Sequence, residues 1–300
     1  MENFKLSFTD NTTFAGKDLE GFYATALLKG TSKESFKLIG NVKSTAKIAK
    51  WSLGDIVQDS DCSFAGTGEG TLSQKTITAH PFKINLEYCQ RDFETNYLSE
   101  LLRKGDTVPA TVEQYVVEQV GLKVADSLEK AVWQGSGATP NFTAEIGLEA
   151  KLLADATVLD VTATTLSQSN IIAQIGRVYD AIPAALRDSE ELVIYMGTAA
   201  AAFYRQALAA ASSEVYFMQE HKDLQYLGVK VIIAGGMSAN KMVAAEKSNL
   251  LLITDLMSEF DELSILPQRN VTGVPVIRFV ALDAKFGVDF IYGAEIVYYN

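Results

Sequence analysis

Residues 107–137 read TVPATVEQYVVEQVGLKVADSLEKAVWQGSG. Val112, Val116, Val120, Val124, Leu128 and Val132 recur every four residues, with Leu122, Ala125 and Ala131 widening the stripe, which gives a helix one apolar face along its length. Thr111 and Gln114 have capping-box spacing, and Pro109 lies upstream where its missing N–H does no harm. Lys130 complements the C-terminal end of the dipole, and Gly135 offers the left-handed residue that stops the helix. The pattern predicts a helix over 111–134, about 35 Å long at roughly 1.5 Å per residue, with Val116, Val120, Val124 and Leu128 facing its core. A helix of that length spans a domain from side to side and can seed a core.

Around it lies a chain of 300 residues, 48% hydrophobic and 21% charged, with room for one large or two ordinary domains. There are 37 acidic and 26 basic residues, and the formal charge of −11 disfavours a general polyanion-binding role. No 18-residue apolar run occurs, so no membrane span is expected. The first residues, MENFKLSFTD, lack a charged-then-apolar leader pattern, and a cytosolic location is expected. Cys62 and Cys89 have neither metal-site nor disulfide-framework spacing and fit two reduced thiols. His80 and His221 are the only 2 histidines, a scarcity that weakens enzyme hypotheses. No catalytic, cofactor-binding or metal-binding residues are assigned.

Upstream, residues 1–17 read as an extended arm and Asp18–Leu28 as a short helix closed near Gly30. From Phe36 the pattern turns strand-like, through FKLIGNV and KSTAKIAKWSL. TITAHPFKINLEYC then keeps a period of two around Pro81. These segments predict a long two-stranded limb with a glycine-rich middle at Gly66, Gly68 and Gly70. A strand rather than a helix N-terminus follows that middle, so it is not a phosphate loop. Such a limb is completed most simply by a neighbouring molecule. Asp92–Lys104 carries a helical pattern and leads into the long helix.

Downstream, TTLSQSNIIAQIGRVYDAIPAA predicts a helix with caps at Ser167 and Ser169, an apolar face of Ile171, Ile172, Ile175, Val178 and Ile182, and a stop at Pro183. A strand over 192–197, an alanine-rich helix from Thr198 to Ala211 and strands over 229–235 and 248–256 complete an α/β block. Residues 257–300 read mostly as strands broken at Pro267, Gly273 and Gly287. Such an order makes the domain around the long helix discontinuous, with the α/β block inserted into it.

Arm, short helix, hairpin limb, long helix, α/β insertion and terminal strands follow one another in an order that resembles the tailed-bacteriophage major capsid proteins, whose Hong Kong 97-type fold is shared with encapsulins. Local sequences resemble the family too: DSLEKAVWQGSGATPNF at the end of the long helix, LGVKVIIAGGMSANKMVAAEKSNLLLITDL over 227–256 and FGVDFIYGAEIVYYN over 286–300. The resemblance implies an α+β chain with an N-terminal arm and short helix over 1–41 and an extended β-hairpin loop over 42–90. It implies a peripheral domain over 91–160 and 256–285 built on the spine helix 111–134, and an axial domain over 161–255 and 286–300. It also implies assembly residues at the loop tip, Gly66, Gly68, Gly70 and Lys75. No covalent cross-link through Lys75 is predicted, because nothing in the sequence supplies its partner.

The function implied is self-assembly through pentamers and hexamers into an icosahedral head around double-stranded DNA, in a virion capsid assembled in the bacterial host cytoplasm. Portal, scaffold and decoration proteins are the other implied partners, and the DNA would be contacted only weakly by an acidic wall. An encapsulin-type compartment is the alternative. An α/β enzyme built on 161–256 is disfavoured by the absence of a Gly-x-Ser-x-Gly elbow and of metal-ligand spacing.

Overall fold

The computed structural model describes residues 12–14, 35–54, 57, 70–89, 112–135, 147–211, 224–255, 263–267 and 276–300. The helices expected over 18–28 and 92–104, together with Gly66, Gly68 and Thr111, lie outside the described residues. The described strands are β1 (Thr12–Phe14), β2 (Lys37–Ile39), β3 (Thr45–Leu53), β4 (Gly70–Thr78), β5 (His80–Cys89), β6 (Leu159–Val161) and β7 (Leu192–Met196). They continue with β8 (Leu224–Tyr226), β9 (Val229–Ile233), β10 (Met242–Glu246), β11 (Leu250–Thr254), β12 (Leu263–Pro267), β13 (Val276–Phe290) and β14 (Val297–Tyr299). The helices are α1 (Val112–Gln134), α2 (Leu148–Ala154), α3 (Ile171–Ala181) and α4 (Thr198–Ala211).

Helix α1 ends at Gly135, whose φ of 57° is the left-handed turn that glycine adopts without a Cβ penalty. Its burial is concentrated near that end. Leu128, Ala131, Val132 and Trp133 are buried, Val124 packs at the margin of the same cluster, and Val120 is half-buried. The side chain of Val116 lies outside the described residues. Leu122, expected in the stripe, is exposed. Two residues from Val124 is about 200° around a helix, which carries Leu122 to the opposite face. In the last turn Ala131, Val132 and Trp133 are buried in succession, so that burial there extends to Trp133, a residue the stripe does not include. Its ring meets Phe36 at 5.4 Å and Tyr195 at 5.3 Å, and Phe36 meets Tyr195 at 5.9 Å.

The α/β block is a six-stranded sheet of order β6-β14-β10-β7-β9-β8. It is covered on both faces, which explains its unbroken apolar strands. Along β7, Leu192, Ile194 and Met196 face α3 and α4, while Val193 and Tyr195 face the cluster that contains Trp133. In β14, Val297 and Tyr299 face the helices and Tyr298 faces the other cluster. Strands β6, β8 and β10 were not anticipated. Strand β10 reads MVAAE, whose small residues carry no period.

Two local expectations for α3 are corrected. It begins at Ile171, not at a serine cap: the turn before it is closed by Asn170, whose Oδ1 accepts from Ser167 N at 2.8 Å, and whose Nδ2 donates to Thr165 O at 2.8 Å. Ile172 is exposed, whereas Ile171, Ile175, Val178 and Ile182 are buried as expected. The stop before Pro183 stands, with Ile182 as C-cap.

The second six-stranded sheet runs β1-β12-β13-β11-β2, with β5 also paired to β13. At Phe286, β13 is paired with Thr254 of β11 and with His80 of β5, so these two strands flank it on opposite sides. Three expectations change here. The strand over 248–256 leaves the α/β block and joins this sheet, as β11. Residues 80–89 belong to this sheet and not to the limb, because their alternating apolar residues find a partner in β13. Gly287 does not break the terminal strands: β13 runs through it. A Cβ at Gly287 would collide with the carbonyl oxygen of Thr78, so the glycine serves close packing rather than a turn. The boundary expected at 285/286 thus falls inside one continuous strand.

This burial pattern predicts opposite outcomes for two leucines of one helix. Leu128→Asp places an unpaired charge in the core and is expected to cost more than about 4 kcal/mol, leaving no soluble folded chain. Leu122→Asp is expected to shift stability by no more than about 0.5 kcal/mol in urea titrations followed by circular dichroism.

Candidate functional site

Strands β3 and β4 form a two-stranded antiparallel hairpin, in register from Thr45 opposite Thr78 to Leu53 opposite Gly70. Among the described residues the hairpin is paired to no other strand, so its side chains supply most of what holds it to the body. Alternation divides those side chains between two faces. Ala46, Ile48, Lys50, Lys75 and Ile77 face the body; Lys47, Ala49, Trp51, Leu72, Gln74 and Thr76 face away and are exposed. Trp51 and Leu72 lie directly opposite each other and are 63% and 68% exposed. The two strands carry Lys47, Lys50 and Lys75 and no carboxylate, in a chain whose net charge is −11.

The root is seated by apolar packing. Ile77 is fully buried against Leu251, Ile253 and Val42, with Ala46, Ile48, Ile39 and Ile291 around it. Strand β11 is therefore covered twice: Leu250 and Leu252 face the cluster of Trp133, and Leu251 and Ile253 face the hairpin root. Backbone bonds fix the entry and exit of the limb, Val42 N donating to Thr254 O at 3.2 Å and Ala79 N to Ser44 O at 2.8 Å. Lys285 Nζ adds a bond to Lys43 O at 3.0 Å.

Farther out, the contacts become polar. Lys75 Nζ lies 2.9 Å from Asp289 Oδ1 and 3.5 Å from the centroid of the Phe290 ring. Lys151 of α2 lies 3.3 Å from Asp289 Oδ2 and donates to Val288 O at 2.6 Å. Lys50 Nζ stands over the Tyr292 ring at 5.2 Å, and Tyr292 Oη donates to Trp51 O at 3.3 Å. His80, beside this group, has its pKa lowered by burial and then by the charge of Lys151.

Of the four residues expected at the limb tip, Gly66 and Gly68 lie outside the described residues, and Gly70 is the exposed first residue of β4. Lys75 is midway along β4 and turned onto the body, because its parity in the strand is that of buried Ile77. Asp289 escaped the sequence reading. The signal was a lone carboxylate inside the apolar run FGVDFIYG, which demands a buried cation.

A second polar group ties the loop after β9 to α1. Gln134 Nε2 donates to Gly236 O at 2.7 Å, and a Cβ at Gly236 would strike the carbonyl oxygen of Glu129. Glu149 accepts from Ser238 N at 2.7 Å and from Ser238 Oγ at 2.6 Å. Burial nevertheless raises the Glu149 pKa, more than the Ser238 bonds and the charge of Lys241 lower it. Among the described residues, no three His, Cys, Asp or Glu side chains converge on a point where a metal would bind.

No protein-family model matches the sequence, and no curated protein matches it. Solved structures do. The capsid of an empty GTA particle is 14% identical, with 98% of this chain and 93% of that chain covered at a TM-score of 0.57. A satellite phage P4 procapsid that includes the size determination protein is 10% identical over 93% of this chain and 98% of that chain, at a TM-score of 0.58. A virus-like particle from Pyrococcus furiosus is 12% identical over 94% and 98%, at a TM-score of 0.52. At these identities the likeness establishes fold, and the chain has the Hong Kong 97-type capsid fold.

The Glu149 environment carries a pH signature. Because its folded pKa is raised above the usual 4.5, the folded chain binds that proton more tightly than the unfolded chain. Its contribution to stability is fully present below 4.5 and is lost as pH rises through the folded value. Glu149→Gln, which cannot ionise, is expected to gain stability relative to the parent chain between about pH 4 and about pH 7 in paired urea titrations.

Proposed function

We propose that the chain is the major capsid protein of a tailed phage, assembling through pentamers and hexamers into an icosahedral head around double-stranded DNA. The single observation that carries this is the capsid fold matched over nearly the whole chain. A shell closes only if each subunit makes heterologous contacts around rings of five and six. The outer face of the limb has the properties such a contact needs: an exposed Trp51–Leu72 pair, Lys47 with no carboxylate on either strand, and an otherwise acidic chain to meet them. The spine-helix residues act behind this surface, as core, and are not assigned a contact role.

In this reading the acidic average charge lets packaged DNA slide against the wall instead of adhering to it. Portal, scaffold and decoration proteins are the expected further partners, the bacterial host cytoplasm the place of assembly, and no catalytic step is required of the chain. The likeness to a virus-like particle from Pyrococcus furiosus keeps a second reading, a compartment shell of the encapsulin type. Nucleic acid co-purifying with closed particles, read as an absorbance ratio before and after nuclease, separates the two.

The limb provides the mutational test. Deletion of residues 63–73 is expected to leave a chain with the parent circular dichroism spectrum that elutes as small species, where the parent elutes as particles. Particles of parent size and yield from the deletion would remove the limb from the assembly account.

A further inference from the structure

The hairpin is seated by two unlike regions, and the boundary between them runs through Lys75. Inward of Lys75 the seat is apolar, with Ile77 and Ala46 in the cluster of Leu251 and Ile253. Outward of it, Thr71, Leu72, Ser73 and Gln74 are all exposed, including the two whose parity turns them toward the body. Lys75 is the outermost residue of β4 that is not exposed.

Its partner is unusual in being paired twice. Asp289 is held by Lys75 through Oδ1 and by Lys151 through Oδ2, and Oδ1 also accepts from Phe290 N at 2.8 Å. Withdrawal of Lys75 leaves Asp289 with a lysine and a backbone donor, so no orphaned carboxylate results. The lysine is also free to leave: its side chain is 29% exposed against 8% for Asp289, and a flexible stem carries its ammonium to water. Withdrawal of Lys151 has different consequences, because Lys151 belongs to α2 and also bonds Val288 O.

We infer that Lys75 is a releasable pin: its ammonium, lodged between Asp289 and the Phe290 ring, sets the limb against the body, and its withdrawal frees the limb to swing on the Ile77 root while the body stays folded. Lys50 over Tyr292 and the bond from Tyr292 Oη to Trp51 O are further outer contacts, both at the surface, and the carboxylate of Asp155 is close enough to feel the charges of Lys75 and Lys50. The pin is intramolecular and holds whether or not the chain forms a shell. It makes Lys75 a switch for the direction in which the limb points, and not one of the surfaces the limb presents.

Hydrogen exchange on the full chain in dilute solution, read by mass spectrometry peptide by peptide, tests this. An isolated two-stranded hairpin is marginal in water, so a released limb loses amide protection. Lys75→Met keeps the aliphatic stem and removes the charge. It is expected to speed exchange over 45–53 and 70–78 by roughly tenfold or more, with peptides from β7, β10 and α3 unchanged. Lys151→Met removes the other cation from the same carboxylate and is expected to leave the limb at the parent rate. Parent-like exchange of the limb in Lys75→Met, an equal effect of Lys151→Met on the limb, or a Lys75→Met chain that fails to fold would each overturn the pin.

Discussion

Three aromatic rings from distant parts of the chain, Phe36, Trp133 and Tyr195, meet within 5.9 Å of one another, and the rest of the architecture depends on that junction. Phe36 lies at the entrance to β2 and the limb, Trp133 ends the long helix, and Tyr195 sits in the middle strand of the α/β block. The two pairs that Phe36 makes are edge-to-face, and such pairs contribute about 0.5–1.5 kcal/mol each beyond the area they bury. Tyr195 Oη reaches Ser35 O at 3.3 Å, and burial pushes its phenol well above the ordinary range. The two sheets thereby share one core, which takes Val193, Tyr195 and Tyr298 from one sheet and Leu250, Leu252 and Phe286 from the other.

From that core the limb follows as the part left out. Strands β7, β10 and β11 are buried on both faces, and the body spends its apolar surface on itself. The hairpin shares only its root. Its outer half has no apolar seat, keeps Trp51 and Leu72 in water, and is steadied by a lysine on a doubly paired aspartate. In the proposed shell, that projection is the part of the described chain that reaches a neighbouring copy.

The parts legible in the sequence were those governed by a long period or a backbone necessity. The long helix could be bounded because its stripe repeats over six turns and Gly135 ends it; α4 and β7 could be read from propensity and an unbroken apolar run. What resisted depended on partners remote in sequence. Trp133 is buried against Phe36 and Tyr195, and β10 is a strand because β7 and β14 flank it, although MVAAE has no strand pattern of its own. Gly287 looked like a break and is a point of close approach, a distinction that only the Thr78 carbonyl reveals. The alternation of β5 continues that of β4 across Ala79, so the two read as one limb, and the sequence holds no sign that pairing changes there. The strand parity that Lys75 shares with Ile77 turns it onto the body, but the carboxylate it meets there, Asp289, is more than two hundred residues away.

The central claim is that identical copies of this chain close into a shell. Negative-stain electron microscopy with sedimentation velocity on the purified chain, produced alone and together with the products of its neighbouring genes, tests it directly. The account predicts closed particles, or rings of five and six subunits, in at least one of these preparations. A strictly monomeric or dimeric species in every one of them would contradict it.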